Sequence, residues 1–400
     1  MVFALGFALF ALGITISVAL HECGHMWAAQ ATGMKVRRYY IGFGPKVFSF
    51  RRGETEYGLK ALPLGGFCDI VGMTALDEVP PEDLDRAMYR QATWKRMVVM
   101  FGGIAMNFLL GFLLVVVLAI GWGLPQLDPV ETKLGAMNCV ATANPDGSLQ
   151  ECTGTGPAQR AGLQRGDVVT AVNGVAVSTW KDFQRETQKQ TGTFEYTIER
   201  DGATLTVPVT PERTVRYDDN GQNPREVSAV GVGSYGAEPP QKYGVLDAVP
   251  ASLAFTGDMF VRTLESLAQM PAKVAALWTA VTGGERDPET PVSVYGASRI
   301  GGETAERGLW GIFILVLASL NFFLGAFNLL PLLPLDGGHM AVVLYEKARN
   351  SVRAWRGLAP GGPVDYLKLL PLTYAAVVIG GAYMVLTLTA DIVNPVKLFP

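Results

Sequence analysis

The sequence predicts a polytopic α-helical membrane protein: four transmembrane helices, a membrane-associated β-sheet on the cytoplasmic side and one extracytoplasmic α+β domain. Three observations carry that expectation. Of the 400 residues, 49% are hydrophobic and only 17% charged. Segments 1–31, 97–124, 308–336 and 371–390 hold apolar runs matching the ~20 residues that a hydrocarbon core requires. The two connections 32–96 and 337–370 are rich in Lys and Arg, which marks them as cytoplasmic and puts both termini and the stretch 125–307 outside.

The first span runs from Val2 to Leu20 without a charge and then reads His21-Glu22-Cys23-Gly24-His25. It has neither a basic leader nor a small-residue cleavage site after its apolar run, so it is expected to be a retained helix. On that helix His21 and His25, four apart, share one face and offer two imidazole nitrogens to one metal, with Glu22 beside them as a proton acceptor. The donor set suits Zn2+, one ion per chain, because two neutral imidazoles leave room for a third protein ligand and a water. The whole chain holds only 3 histidines, and two of them form this pair. Ionisable groups near hydrocarbon are expensive, so they mark a functional site.

Beyond the first span, 32–75 is expected to form a membrane-associated β-hairpin. Its strands are 36–50 and 55–70, turning at Arg51-Arg52-Gly53-Glu54. Such a sheet could hold an extended peptide by strand addition or simply cover the metal. Residues 76–96 form a charged cytoplasmic segment with a short helix after Pro80-Pro81. The second span carries Gly102-Gly103 and Asn107. The glycines suit close helix packing, and the amide suits a hydrogen bond to another helix, the metal site or a substrate carbonyl.

In the exported stretch, 138–211 reads as a compact domain with a short helix, a strand, a second helix over 181–190 and a hairpin around Asp201-Gly202. Cys139 and Cys152 fall in this oxidising compartment and are expected to pair, whereas Cys23 and Cys68 lie on the reducing side. A polar linker, 212–243, with a loop at Asp218-Asp219-Asn220-Gly221, precedes an amphipathic helical region, 244–282, expected on the outer membrane face. Gly283–Gly302 reads as turn-rich. The third span carries Asn321 and ends in Asn328, Pro331, Pro334 and Leu335-Asp336-Gly337-Gly338-His339. The prolines interrupt the helix and free backbone that must be buried or line a wet cavity. Asp336 or His339 then supplies the third zinc ligand. The fourth span shows no chemistry.

Two resemblances sharpen these expectations. The glycine-flanked series from Pro157 to Gly174, with the helix and hairpin after it, resembles a circularly permuted PDZ domain of bacterial proteases. His-Glu-Cys-Gly-His, Gly42-Phe43-Gly44, Pro63-Leu64-Gly65-Gly66-Phe67, this PDZ-like domain and Asn328…Leu335-Asp336-Gly337 together resemble the site-2 proteases, the RseP-like zinc enzymes of regulated intramembrane proteolysis. The single PDZ and the length resemble the actinobacterial, mycobacterial-type branch. The resemblance implies that His21, His25 and Asp336 hold zinc and that Glu22 is the general base. It places Asn328, Asn107 and Pro331 beside the substrate, and Gly42 and Gly44 in a reentrant sheet that binds it. It also implies substrates with a single span, such as anti-sigma factors, trimmed first outside the membrane by a site-1 protease and then cut near the cytoplasmic face. An ion carrier would show internal symmetry and more intramembrane ligands and would have no evident use for Glu22, whereas a scaffold whose PDZ-like domain binds partners would keep its function after Glu22→Gln. No basic stripe with interleaved aromatics is present, and no nucleic-acid partner is expected.

Overall fold

The computed structural model describes all residues except 75, 126, 128–131, 145–148, 218–223, 236–239, 285, 288–289 and 397–400. In chain order the elements are α1 (Val2–Ala31), β1 (Val36–Arg52), β2 (Thr55–Ile70), α2 (Thr93–Gly121), β3 (Leu134–Met137), α3 (Pro157–Arg160), β4 (Val168–Val172) and β5 (Val175–Ala176). They continue with α4 (Trp180–Gln188), β6 (Phe194–Arg200), β7 (Ala203–Val209), β8 (Glu212–Arg216), β9 (Arg225–Ala229) and β10 (Val232–Ser234). The remainder is helical: α5 (Val245–Gln269), α6 (Lys273–Val281), α7 (Val294–Glu306), α8 (Trp310–Asn328), α9 (Asp336–Trp355) and α10 (Leu370–Val393). The chain divides into two units, one of Met1–Trp122 with the chain from Lys242 onward, the other of Gly123–Gln241.

In the first unit, Val2–Ala31, Thr93–Gly121, Trp310–Asn328 and Tyr366–Val393 are long and apolar enough to cross a membrane. The buried residues of α1, including Gly6, Phe10, Ile14, Ser17, His21, Gly24 and His25, recur every three or four positions. They make one stripe that faces other helices. Towards its start the stripe meets α7, where a Cβ on Gly301 would sit 2.5 Å from Phe10 Cβ. Further along it meets α2, where a Cβ on Gly102 would sit 2.5 Å from the Gly24 carbonyl oxygen, so small residues set the interaxial distance. Helix α8 packs on α2 through Phe322 and Phe108, and Phe108 also meets Phe260 of α5 at 5.6 Å.

Strands β1 and β2 form one antiparallel ladder, and each bends midway. Tyr39 pairs with both Tyr57 and Cys68, and Tyr40 with both Gly58 and Phe67. The first half of β1 therefore lies between the two halves of β2, a more folded sheet than the simple hairpin expected. Gly42, at φ +87°, supports the bend, since a Cβ there would be 2.6 Å from the Leu62 carbonyl oxygen.

Three segments hold more regular structure than the sequence pattern announced. Segment 283–302 is not turn-rich throughout: α7 occupies Val294–Glu306, because Gly301 and Gly302 pack against α1 and Gly296 against Asp391 of α10 instead of turning the chain. The 337–370 connection is largely helical, since α9 starts at Asp336 and runs to Trp355. Residues 212–243 are no plain linker: β8 pairs with β9, β10 pairs with β3, and Val230 joins the core of the second unit. The loop expected at Asp218–Gly221 lies outside the described residues.

The second unit is built on a four-stranded antiparallel sheet in the order β5-β4-β6-β7. Asp201 and Gly202, both at positive φ, make the tight turn between β6 and β7. Thr179 caps α4 by accepting from Asp182 N at 3.1 Å. Tyr196, Phe183, Ile198 and Val169 fill the core, and the buried Tyr196 hydroxyl meets Thr187 Oγ1 at 2.8 Å. Cys139 and Cys152 are joined by a disulfide. Asp167 is buried, and Arg200 donates to its two oxygens at 2.7 Å each. Burial pushes that carboxyl up, but the Arg200 guanidinium and the Gln164 N–H outweigh it and hold it below the ordinary range.

Candidate metal centre

The stripe that buries α1 also aims its two histidines inward. His21 is 9% exposed and His25 6%. Their Nε2 atoms stand 3.1 Å apart. Asp336 Oδ2 lies 3.2 Å from His21 Nε2 and 3.3 Å from His25 Nε2. Among the described residues this is the only group of three His, Cys, Asp or Glu side chains whose donor atoms converge in this way. On a tetrahedral zinc with bonds of about 2.0–2.1 Å, ligand atoms are roughly 3.3 Å apart, which this triangle matches. Asp336 Oδ2 is buried without a hydrogen-bond partner, as an oxygen reserved for a metal would be.

Each of the candidate ligands His25 and Asp336 has a local reason for its place. His25 Nδ1 is 2.8 Å from the Val99 carbonyl oxygen on α2. A carbonyl only accepts, so Nδ1 carries the proton and Nε2 keeps its lone pair for the site. Gly103, also on α2, makes room for that ring: a Cβ there would be 2.7 Å from His25 Cε1 and 2.8 Å from Cδ2. Asp336 is delivered by the break between α8 and α9. Pro331 lies in this break, and α9 starts again at Asp336. Gly337 and Gly338 let the first turn of α9 press against the backbone of Leu329–Leu333, where any Cβ would collide.

Glu22 follows His21 on α1, and β2 passes beside it: a Cβ on Gly66 would be 3.2 Å from Glu22 Cγ. His339 is not part of the triad. Its Nδ1 is 3.2 Å from the Tyr366 hydroxyl, and the two rings stack. Asn107 is 2% exposed with its Oδ1 unpaired, while Asn328 spends its Nδ2 on the Leu324 carbonyl at 3.0 Å. Gly42 and Gly44 sit at the bend of β1. Cys139 and Cys152 belong to the second unit. Sequence reasoning passed over Val99, whose backbone oxygen leaves no mark in a residue pattern. It took Gly103 only as a packing residue, although its spacing of four from Asn107 on one helix places it on an inward face.

A family model described as peptidase family M50 matches residues 9–358. The chain belongs to that family, the site-2 proteases. It is 52% identical over 404 residues to the zinc metalloprotease Rip1 of Mycobacterium bovis, covering 100% of both chains. Rip1 of Mycolicibacterium smegmatis is 51% identical over 405 residues, again covering 100% of both. The regulator of sigma-W protease RasP of Bacillus subtilis is 25% identical over 413 residues, 83% of this chain and 88% of its own. The protein is accordingly a polytopic membrane zinc metalloendopeptidase with Zn2+ as its cofactor.

Proposed function

We propose that this enzyme cleaves single-span membrane proteins of the anti-sigma-factor kind near the cytoplasmic face, after a site-1 protease has trimmed their exported part. The observation that carries the reading is the triad of His21, His25 and Asp336, with Glu22 and an edge of the β1–β2 sheet beside it. These three side chains hold the zinc. When bound, it supplies a Lewis acid and a water of lowered pKa. Glu22 accepts a proton from the attacking water and later gives it to the leaving amine.

A helical substrate must be straightened before water reaches a carbonyl. The second half of β2 is suited to hold it straight, because residues 66–70 pair with β1 on one side only and pass beside Glu22. An extended peptide can add there as a further strand. The exposed Phe43, Val47, Phe48 and Leu62 on the same sheet suit a membrane-associated position. Asn107, with its unpaired Oδ1, Asn328 and Pro331 complete the substrate side. Gly123–Gln241 serves as an extracytoplasmic PDZ-like gate, supported by its strand–helix–hairpin order and its disulfide. The cytoplasmic placement of 32–96 follows from its Lys and Arg content. RasP, by its name, regulates sigma-W, which fits an anti-sigma-type substrate.

The test is cleavage in proteoliposomes of one single-span substrate, supplied with and without its exported domain. Cleavage of the trimmed form near its cytoplasmic end, and not of the full-length form, is expected. Equal cleavage of both would remove the gating role, and no cleavage of either would remove the substrate class.

A further inference from the structure

Helix α2 holds both halves of the metal centre from one face. Val99 fixes His25 through its carbonyl oxygen at 2.8 Å. Three residues earlier, so on the same side of the helix, Arg96 Nη1 donates to Glu346 Oε2 at 2.6 Å. Glu346 lies on α9, the helix that starts with the ligand Asp336. The pair is buried, with side chains 9% and 10% exposed. The second carboxylate oxygen of Glu346 accepts from Val364 N at 2.7 Å, which ties the same residue to the chain returning towards α10. Between the two ties, Met340 of α9 packs against the cluster of Met26, Val99 and Met100.

We infer that the Arg96–Glu346 pair is a strut that positions Asp336 against the two histidines, and that Arg96 and Glu346 are positioning residues for zinc. The inference rests on the reading of His21, His25 and Asp336 as the zinc ligands. A buried ion pair contributes little net stability compared with apolar residues of similar volume, so its value here is geometric. Arg96 sets the depth of α9 along α2, Val99 sets the rotation of the His25 ring, and the two fixed points lie less than one helical turn apart. The path from Asp336 to His25 therefore runs down about 15 Å of α9 to Glu346, across the ion pair, and along less than one turn of α2 to Val99.

The test uses the detergent-purified full chain with the metal alone as probe. Zinc affinity is measured by chelator competition, and cobalt(II) absorption reports coordination geometry. The variants are Glu346→Gln, Arg96→Lys, the charge swap Arg96→Glu with Glu346→Arg, and Asp336→Ala. Glu346→Gln is isosteric and Arg96→Lys keeps the charge, so both are expected to fold, with thermal unfolding of the metal-free protein as the check. We expect zinc to bind about tenfold more weakly in each single variant, with a cobalt spectrum shifted away from four-coordinate, and to recover in the swap. Unchanged zinc affinity and cobalt spectrum in the folded single variants would overturn the inference, as would lower thermal stability with unchanged metal binding. Asp336→Ala separates the two layers. Zinc binding that survives it defeats the ligand reading, whereas zinc lost there and kept in Glu346→Gln defeats the strut alone.

Discussion

Gly103→Ala adds one methyl group against the His25 ring. The new Cβ would lie 2.7 Å from Cε1 and 2.8 Å from Cδ2. The nearest ring atom is Nε2, closer still, and non-bonded atoms rest at about 3.5 Å, so the ring or α2 must give way by about 1 Å. Neither is free to move. The ring is held by the Val99 carbonyl at 2.8 Å, and α2 is held against α1 where Gly24 meets Gly102. Overpacking of this kind costs about 1–3 kcal/mol of stability. A displacement near 1 Å in a reacting geometry costs about 100-fold in rate. We therefore expect Gly103→Ala to stay folded, to lower zinc affinity and to reduce cleavage of a trimmed single-span substrate by about two orders of magnitude. The assay is zinc content and cleavage on the same purified sample, with Gly111→Ala, about 12 Å further along α2 and with its Cβ 3.0 Å from Phe322 Cε2, as the packing control. Full zinc content and full activity in Gly103→Ala would refute the reasoning.

Three further outcomes are expected. Gly42→Val forces a left-handed backbone and a clash with the Leu62 carbonyl at the bend of β1, so cleavage should fall at least tenfold while zinc content stays near that of the wild type; equal loss of both would count against a separate role for the sheet. Replacing Cys139 and Cys152 with Ser opens a loop of sequence separation 13 and should destabilise the second unit by up to about 3 kcal/mol, read as earlier unfolding by hydrogen exchange over 133–234. The Asp167 carboxyl is held below its ordinary pKa, so its bond to Arg200 stabilises the fold above the unfolded-state pKa and is lost as pH falls through the folded value. Asp167→Asn should remove that acid-side loss and weaken the unit at neutral pH by about 1–3 kcal/mol, checked by denaturant melts between neutral and acid pH.

The parts of the fold set by local pattern were legible in the chain. Apolar runs marked the four helices long enough to cross a membrane, and two histidines four apart needed only a helix to share a face. Elements set by their neighbours were harder to read. Helix α7 contains Gly296, Gly301 and Gly302, which locally signal turns; they are tolerated in a helix because Phe3 and Phe10 of α1 and Asp391 of α10 take the space of the missing side chains. Strands β8 and β9 are short and mostly polar or exposed, and only Thr214 and Ser228 are buried, so no apolar alternation announced them. The bend that folds β1 back on β2 depends on a register that pairs Tyr39 twice, and a hairpin pattern does not encode that. At the candidate metal centre the donor types were visible and Asp336 was favoured over His339, in part through the family resemblance, but the packing that separates the two was not legible. The two lie on one helical turn, and only the packing of Gly337 and Gly338 against the preceding loop turns Asp336 towards the histidines and His339 towards Tyr366.

The most direct measurement is zinc content paired with cleavage of a trimmed single-span substrate, on the wild type, Glu22→Gln and Asp336→Ala. The wild type should hold one zinc and cut. Glu22→Gln should keep the zinc and lose at least about 100-fold in cleavage, because the proton acceptor is gone while the ligands remain. Asp336→Ala should lose both. An Asp336→Ala protein that keeps its zinc and its activity, or a Glu22→Gln protein that cuts at the wild-type rate, would contradict the account.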